Sequence, residues 1–144
     1  MRNNKYFEDV AENEQLPSFQ QIITRTHIVK YAGAGGDFNP MHHDEELAKA
    51  MGLPSVFAMG LMHGSMLARV LTDWAGDGCV KRYKIKFTGM VWPHDVLIFS
   101  GSVTRKYHEN DKNLVDCLLS VVNQKGESAL AGEATVILPS KKLT

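Results

Sequence analysis

The chain has 144 residues, 44% apolar and 22% charged, which suits one globular domain with a core of useful size and leaves little room for two. Sixteen Lys and Arg balance sixteen Asp and Glu. The resulting zero net charge gives no sign of a nucleic-acid or anionic-membrane partner, and it removes a repulsion that would oppose self-association.

Two cysteines, Cys79 and Cys117, lie far apart and form no CxxC. They read as small core residues in a reducing compartment. The first residues, "MRNNKYFEDVAENEQLP", carry no apolar stretch of the secretory kind, and no run approaches the roughly twenty apolar residues needed to span a bilayer. The expectation is a cytoplasmic protein, one domain over 1–144, with 1–16 and 139–144 loosely ordered.

In chain order, "FQQIITR" predicts a short first strand. Thr24 or Thr26 then caps a helix, "HIVKYAGA", that stops at the glycines of "GAGGD". "DEELAKAMG" predicts a second short helix, capped by Asp44, acidic in its first turn and ended by Gly52. In "SVFAMGLMHGSMLARVLTDWAG", Leu61, Met62, Leu67, Val70, Leu71 and Trp74 recur at helical spacing. Gly60, Gly64 and Ala68 share one face of that helix. Two glycines each cost about 1 kcal/mol against alanine there, so the bare face implies a close approach to another backbone.

The second half reads as strands. Tyr83, Ile85 and Phe87 alternate with Arg82, Lys84 and Lys86, a period of two with one wet face. "DVLIFSGSVTRKY", "NLVDCLLSVVN" and "ESALAGEATVIL" follow after short polar turns. These connections imply an antiparallel meander. The architecture expected is α+β, an antiparallel sheet wrapped around a long central helix, with an exposed edge that pairing between two copies would hide.

The chemistry concentrates in "GDFNPMHHDEELAKAMGLP". Asp37 stands five residues before His42, with Asn39 and the rigid Pro40 between them. Burial makes a carboxylate a stronger base, an imidazole exchanges protons near neutrality, and Asn39 is suited to hydrogen-bonding back onto its own loop. Either the stretch is a well-made turn before a capped helix, or it holds a general acid–base pair. His43 has no assigned role. His42, His43 and Asp44 lack the spacing of a metal site, so no metal is expected. "GAGG" is not a dinucleotide fingerprint, and there is no Gly-x-Ser-x-Gly elbow.

Tyr31-Ala32, Gly36-Asp37, Asn39-Pro40, His42, Asp44 and Gly52-Leu53 together resemble the signature of the MaoC-like hydratases. These are (R)-specific enoyl-thioester hydratases and dehydratases with a hotdog fold, and the likeness runs from about residue 17 through most of the chain. The resemblance implies reversible hydration of a trans-2-enoyl thioester, of coenzyme A or acyl carrier protein, as in fatty acid metabolism. It implies no cofactor beyond that substrate, and a homodimer or larger homo-oligomer. It assigns Asp37 and His42 to catalysis, the backbone N–H of Gly60 to the oxyanion, and the hydroxyl of Ser65 to support of the catalytic acid. Where these hydratases commonly carry His-Gly-Met, this chain has Met59-Gly60-Leu61. His63 reads as a satisfied core histidine. The competing readings are a hotdog thioesterase and a non-catalytic acyl-thioester-binding subunit of a heteromeric hydratase.

Overall fold

The computed structural model describes residues 5–141. Strands β1 (Phe19–Ile22), β2 (Val80–Phe87), β3 (Val96–Glu109), β4 (Lys112–Val122) and β5 (Ser128–Leu138) accompany helices α1 (Arg25–Gly35), α2 (Glu45–Ala50) and α3 (Gly60–Ala75). The strands form one antiparallel sheet in the order β1-β3-β4-β5-β2. This is the hotdog architecture expected.

The meander is correct for β3, β4 and β5 but not for β2. That strand pairs with β5, from Phe87 opposite Leu130 to Val80 opposite Val136, and forms the sheet edge away from β1. Both sides of β3 are already taken, by β1 and β4. Residues 88–95 carry the chain across. The amides of Thr88 and Gly89 bond the carbonyl of Ala129, Ala58 donates to Val91, and His94 donates to Ile23.

The sheet wraps α3, which packs against β2, β3, β4 and β5. Met62, Leu67, Val70, Leu71 and Trp74 of α3 are buried against Leu97, Phe99, Val103, Leu119, Val121, Leu130 and Val136. The bare face of α3 has a more specific cause than a neighbouring backbone. A Cβ on Gly60 would sit 2.7 Å from the Phe87 ring, and one on Gly64 2.7 Å from Cδ1 of Ile85. The helix is thus seated directly on the inward side chains of β2, and the Tyr83 hydroxyl donates to the Gly64 carbonyl across 2.6 Å. Cys79 and Cys117 are buried free thiols, and burial pushes the Cys117 thiol up to about 12.

The expected looseness of the first sixteen residues is overturned for those described. Phe7, Val10 and Leu16 are in the core. Leu16 donates to Gly101, and Asn13 and Glu14 exchange bonds with Val103. Lys106 Nζ donates to the carbonyls of Phe7 and Val10, and Trp74 Nε1 to the Glu14 carboxylate. Burial opposes ionisation of Glu14, but bonds from Lys5, the Ala11 amide and Trp74 outweigh it and hold the carboxyl below its usual range. At the other end, Phe7 donates to Pro139, and Lys141 meets Glu8 and Asp9. Residues 1–4 and 142–144, also expected to be loose, lie outside the described residues.

Candidate active site

Local rules place the loop. Thr24 caps α1 in a reciprocal box with His27, and Gly36 ends that helix at φ +70, a conformation glycine adopts without strain. The chain then turns through Asp37 to Asn39. Asn39 caps a single 3-10 turn at Pro40–His42, its side-chain oxygen accepting from the Met41 amide at 3.1 Å. Its own amide donates to Asp37 Oδ1 at 3.4 Å, so Asn39 faces both the turn and the acid. Asp44 caps α2 through Leu47, as expected. Arg25 and Ser55 both bond Glu45, which ties α1, α2 and the approach to α3 together.

His42 is held from two sides. Its Nδ1 lies 2.6 Å from the carbonyl oxygen of Phe57, and Nε2 lies 3.7 Å from Asp37 Oδ2. A carbonyl only accepts, so Nδ1 carries the proton. The other nitrogen, Nε2, is therefore the one turned toward Asp37. The Phe57 ring meets the imidazole edge-on and fixes its plane. The separation from Asp37 exceeds a direct hydrogen bond, which leaves the two groups facing a common space.

That space is a cavity of about 430 Å³ lined by the loop (Asp37, Asn39, His42), the segment entering α3 (Phe57 to Leu61), His63 and the end of β2. Gly60 is the first residue of α3, and no side chain caps this helix. The first N–H groups of a helix lack intrahelical partners and carry its positive end. Asp37, His42, Asn39 and Gly60 are thus brought to one cavity.

The Asp37 side chain is 49% exposed in the single chain, against 8% for His42. Two readings need correction. Ser65 does not reach Asp37. It is exposed, and its hydroxyl donates to the Leu61 carbonyl one turn back at 2.7 Å. His63 is not a satisfied core histidine. It is 2% exposed, and neither ring nitrogen has a hydrogen-bond partner among the described residues. Burial lowers its pKa to about 4, so the ring is neutral at physiological pH. Leaving such a group unpaired costs about 1–3 kcal/mol. The signal was present in the spacing: His63 lies three residues after Gly60, on the face that Gly60 and Gly64 share. Nothing marked the Phe57 carbonyl, which is backbone.

A sheet wrapped on one central helix, with the Asp37–His42 loop beside the helix start, defines a protein of the hotdog fold. A family model described as MaoC like domain matches residues 7–124. The chain belongs to this family of dehydratases and hydratases. It is 29% identical over 138 residues to the (R)-specific enoyl-CoA hydratase of Rhodospirillum rubrum, covering 94% of this chain and 93% of that one. It is 34% identical over 90 residues to the 3-oxo-4,17-pregnadiene-20-carboxyl-CoA hydratase beta subunit of Mycobacterium tuberculosis, covering 62% and 70% of the two chains. The R-hydratase PhaJ1 from Pseudomonas aeruginosa, in its unliganded form, has the same fold, with a TM-score of 0.86 at 23% identity over 96% of this chain and 88% of that one.

Proposed function

We propose that this protein adds water reversibly to a trans-2-enoyl thioester, of coenzyme A or acyl carrier protein, and yields the (R)-3-hydroxyacyl thioester. The observation that carries the reading is the fixed orientation of His42, whose Nε2 faces the Asp37 carboxylate in a cavity that also holds the start of α3. Family membership and the similar hydratase of Rhodospirillum rubrum support it.

In the forward direction a water lies between Asp37 and His42. Asp37 takes a proton from it while Nε2 of His42 orients it and shares the relay. The water oxygen bonds Cβ, and the electron pair of the double bond shifts through Cα to the thioester oxygen. The N–H of Gly60, at the positive end of α3, donates to that developing charge. The proton is then delivered to Cα, and the two groups return to their starting states. The half-open Asp37 gains shelter from the bound acyl chain or from a second subunit.

Absorbance at the enoyl-thioester band, followed with crotonyl-, octenoyl- and bulky enoyl-CoA, tests the reading, with chiral analysis of the product. Loss of absorbance with formation of the (R) product is expected. Release of free thiol without hydration would instead indicate a thioesterase. The similarity to a hydratase beta subunit favours one further arrangement, in which this chain works beside a different MaoC-like chain. Inactivity alone, with activity on adding such a chain, would identify it.

A further inference from the structure

His63 is a buried imidazole with both nitrogens unpaired, and it is one of the residues that line the acyl-thioester cavity. The chain supplies no hydrogen-bond partner for it among the described residues. Buried polar groups are paired as a rule, and an exception calls for an explanation, such as a partner that arrives with a ligand. The rest of the wall near it is apolar: Ala58, Met59, Phe87 and Met90 line the same space, and the Phe87 ring stands edge-on to the imidazole. A plain alkyl chain would fill such a space and leave both nitrogens unanswered.

The gradient of exposure orients the ligand. Asp37 is half exposed, His42 is nearly covered and His63 is sealed. The carrier, large and polar, stays at the open end, and the acyl tail runs inward past Gly60 toward His63. The helix rises about 1.5 Å per residue and its side chains lean toward its N-terminus, so the His63 ring lies no more than about 4.5 Å along α3 from Gly60, at most about four bonds of an extended acyl chain. With the thioester oxygen at the Gly60 N–H, the imidazole is level with the chain no further out than about its fifth carbon.

On the reading that this cavity takes an acyl thioester, we infer that His63 is a specificity-determining residue that donates a hydrogen bond to an oxygen carried at or near the fifth carbon of the acyl chain. The preferred substrate class is an enoyl thioester bearing a carbonyl or hydroxyl there, in place of an unsubstituted alkyl chain. A neutral ring is a donor at one nitrogen and an acceptor at the other, so either oxygen function is accommodated. Ketones use only the donor, and hydroxyls use either nitrogen.

The test compares binding of hexanoyl-CoA and 5-oxohexanoyl-CoA by calorimetry to the wild-type protein, His63→Leu and His63→Gln. Both ligands are saturated, so the measurement does not depend on turnover. The wild type should favour the oxo ligand. His63→Leu should shift the ratio of the two affinities by about tenfold toward hexanoyl-CoA, the worth of one net hydrogen bond in a dry site. His63→Gln, which keeps a donor and an acceptor, should retain part of the preference. A ratio unchanged between wild type and His63→Leu overturns the inference. Selective binding of the oxo ligand together with no hydration of any enoyl-CoA would instead overturn the hydratase reading and leave His63 in place.

Discussion

His42 Nδ1 donates to the Phe57 carbonyl across 2.6 Å, and this bond, with that from the Phe57 amide to the Met41 carbonyl, joins the Asp37–His42 loop to the segment that opens α3. On the proposed function, the loop would supply the proton-transfer groups and the helix start the oxyanion donor. The first bond places the proton on Nδ1, and the two together hold the distance between the two halves of the site.

Two substitutions at His42 separate these roles. His42→Asn keeps a donor near the position of Nδ1 but removes Nε2, whereas His42→Ala removes both. Each should lower kcat by the two to four orders of magnitude typical of general acid–base groups. Only His42→Ala leaves the Phe57 carbonyl unpaired, and it should be the less stable by about 1–3 kcal/mol. Steady-state rates and denaturant melts on the two variants check both statements.

Gly60 tests the oxyanion donor. It is the first residue of α3, a position that tolerates proline, and Met59 before it has ψ 134, in the extended range that a following proline demands. Gly60→Pro, whose Cβ must displace the half-exposed Phe87 ring as that of alanine does, should fold and lose activity because it lacks the N–H. Gly60→Ala keeps the N–H but must displace the half-exposed Phe87 ring, and should retain more activity. Circular dichroism with the hydration assay decides it, and an active Gly60→Pro protein would exclude this donor.

The buried His63 makes stability depend on pH. Its pKa is held down to about 4 by burial, against 6.5 for the free side chain. Between these values the unfolded chain binds a proton that the folded chain refuses. Its neutral, folded form is thus fully favoured above pH 6.5, and that advantage is lost as pH falls toward 4. The difference amounts to about 3 kcal/mol. His63→Leu should flatten this limb of the profile relative to wild type. Urea melts at pH 7, 5.5 and 4.5 measure it.

Much of this arrangement was legible in the chain. Thr24, Asp44 and the glycines after each helix marked their ends because capping is local chemistry. Alternation marked β2, short polar turns marked β3 to β5, and the spacing in α3 marked the central helix. The place of β2 was not legible, because a connection the length of 88–95 serves a neighbour or a crossover equally well. Phe7, Val10 and Leu16 are apolar residues scattered without period among polar ones, so their docking appeared only with the tertiary structure. At the site, the Asp37–Asn39–His42 relation followed from loop chemistry. The isolation of Ser65 and the unpaired state of His63 depend on which way α3 is rotated against β2. That rotation is set by packing between Gly60 and Phe87 and between Gly64 and Ile85.

The rim of the cavity predicts a partner. Leu61, Phe87 and Met90 line it and are exposed in the single chain, Phe38 is exposed on the loop beside it, and β2 is a free sheet edge. A second copy adding β2 to β2 would cover both features. Light scattering at micromolar concentration should give the mass of a dimer or larger, and Phe87→Lys should shift it toward monomer.

On the proposed function, the loop from Gly36 to His42 holds two proton-transfer groups against one water and one double bond. Asp37→Asn tests it most directly. The amide keeps the size of the side chain and an oxygen that can accept from the Asn39 amide, but it removes the negative charge and the base. Hydration of crotonyl-CoA by folded Asp37→Asn protein should be slower than wild type by two to four orders of magnitude, with melting behaviour little changed. Wild-type turnover by that variant would contradict the account and leave the loop as a turn before a capped helix.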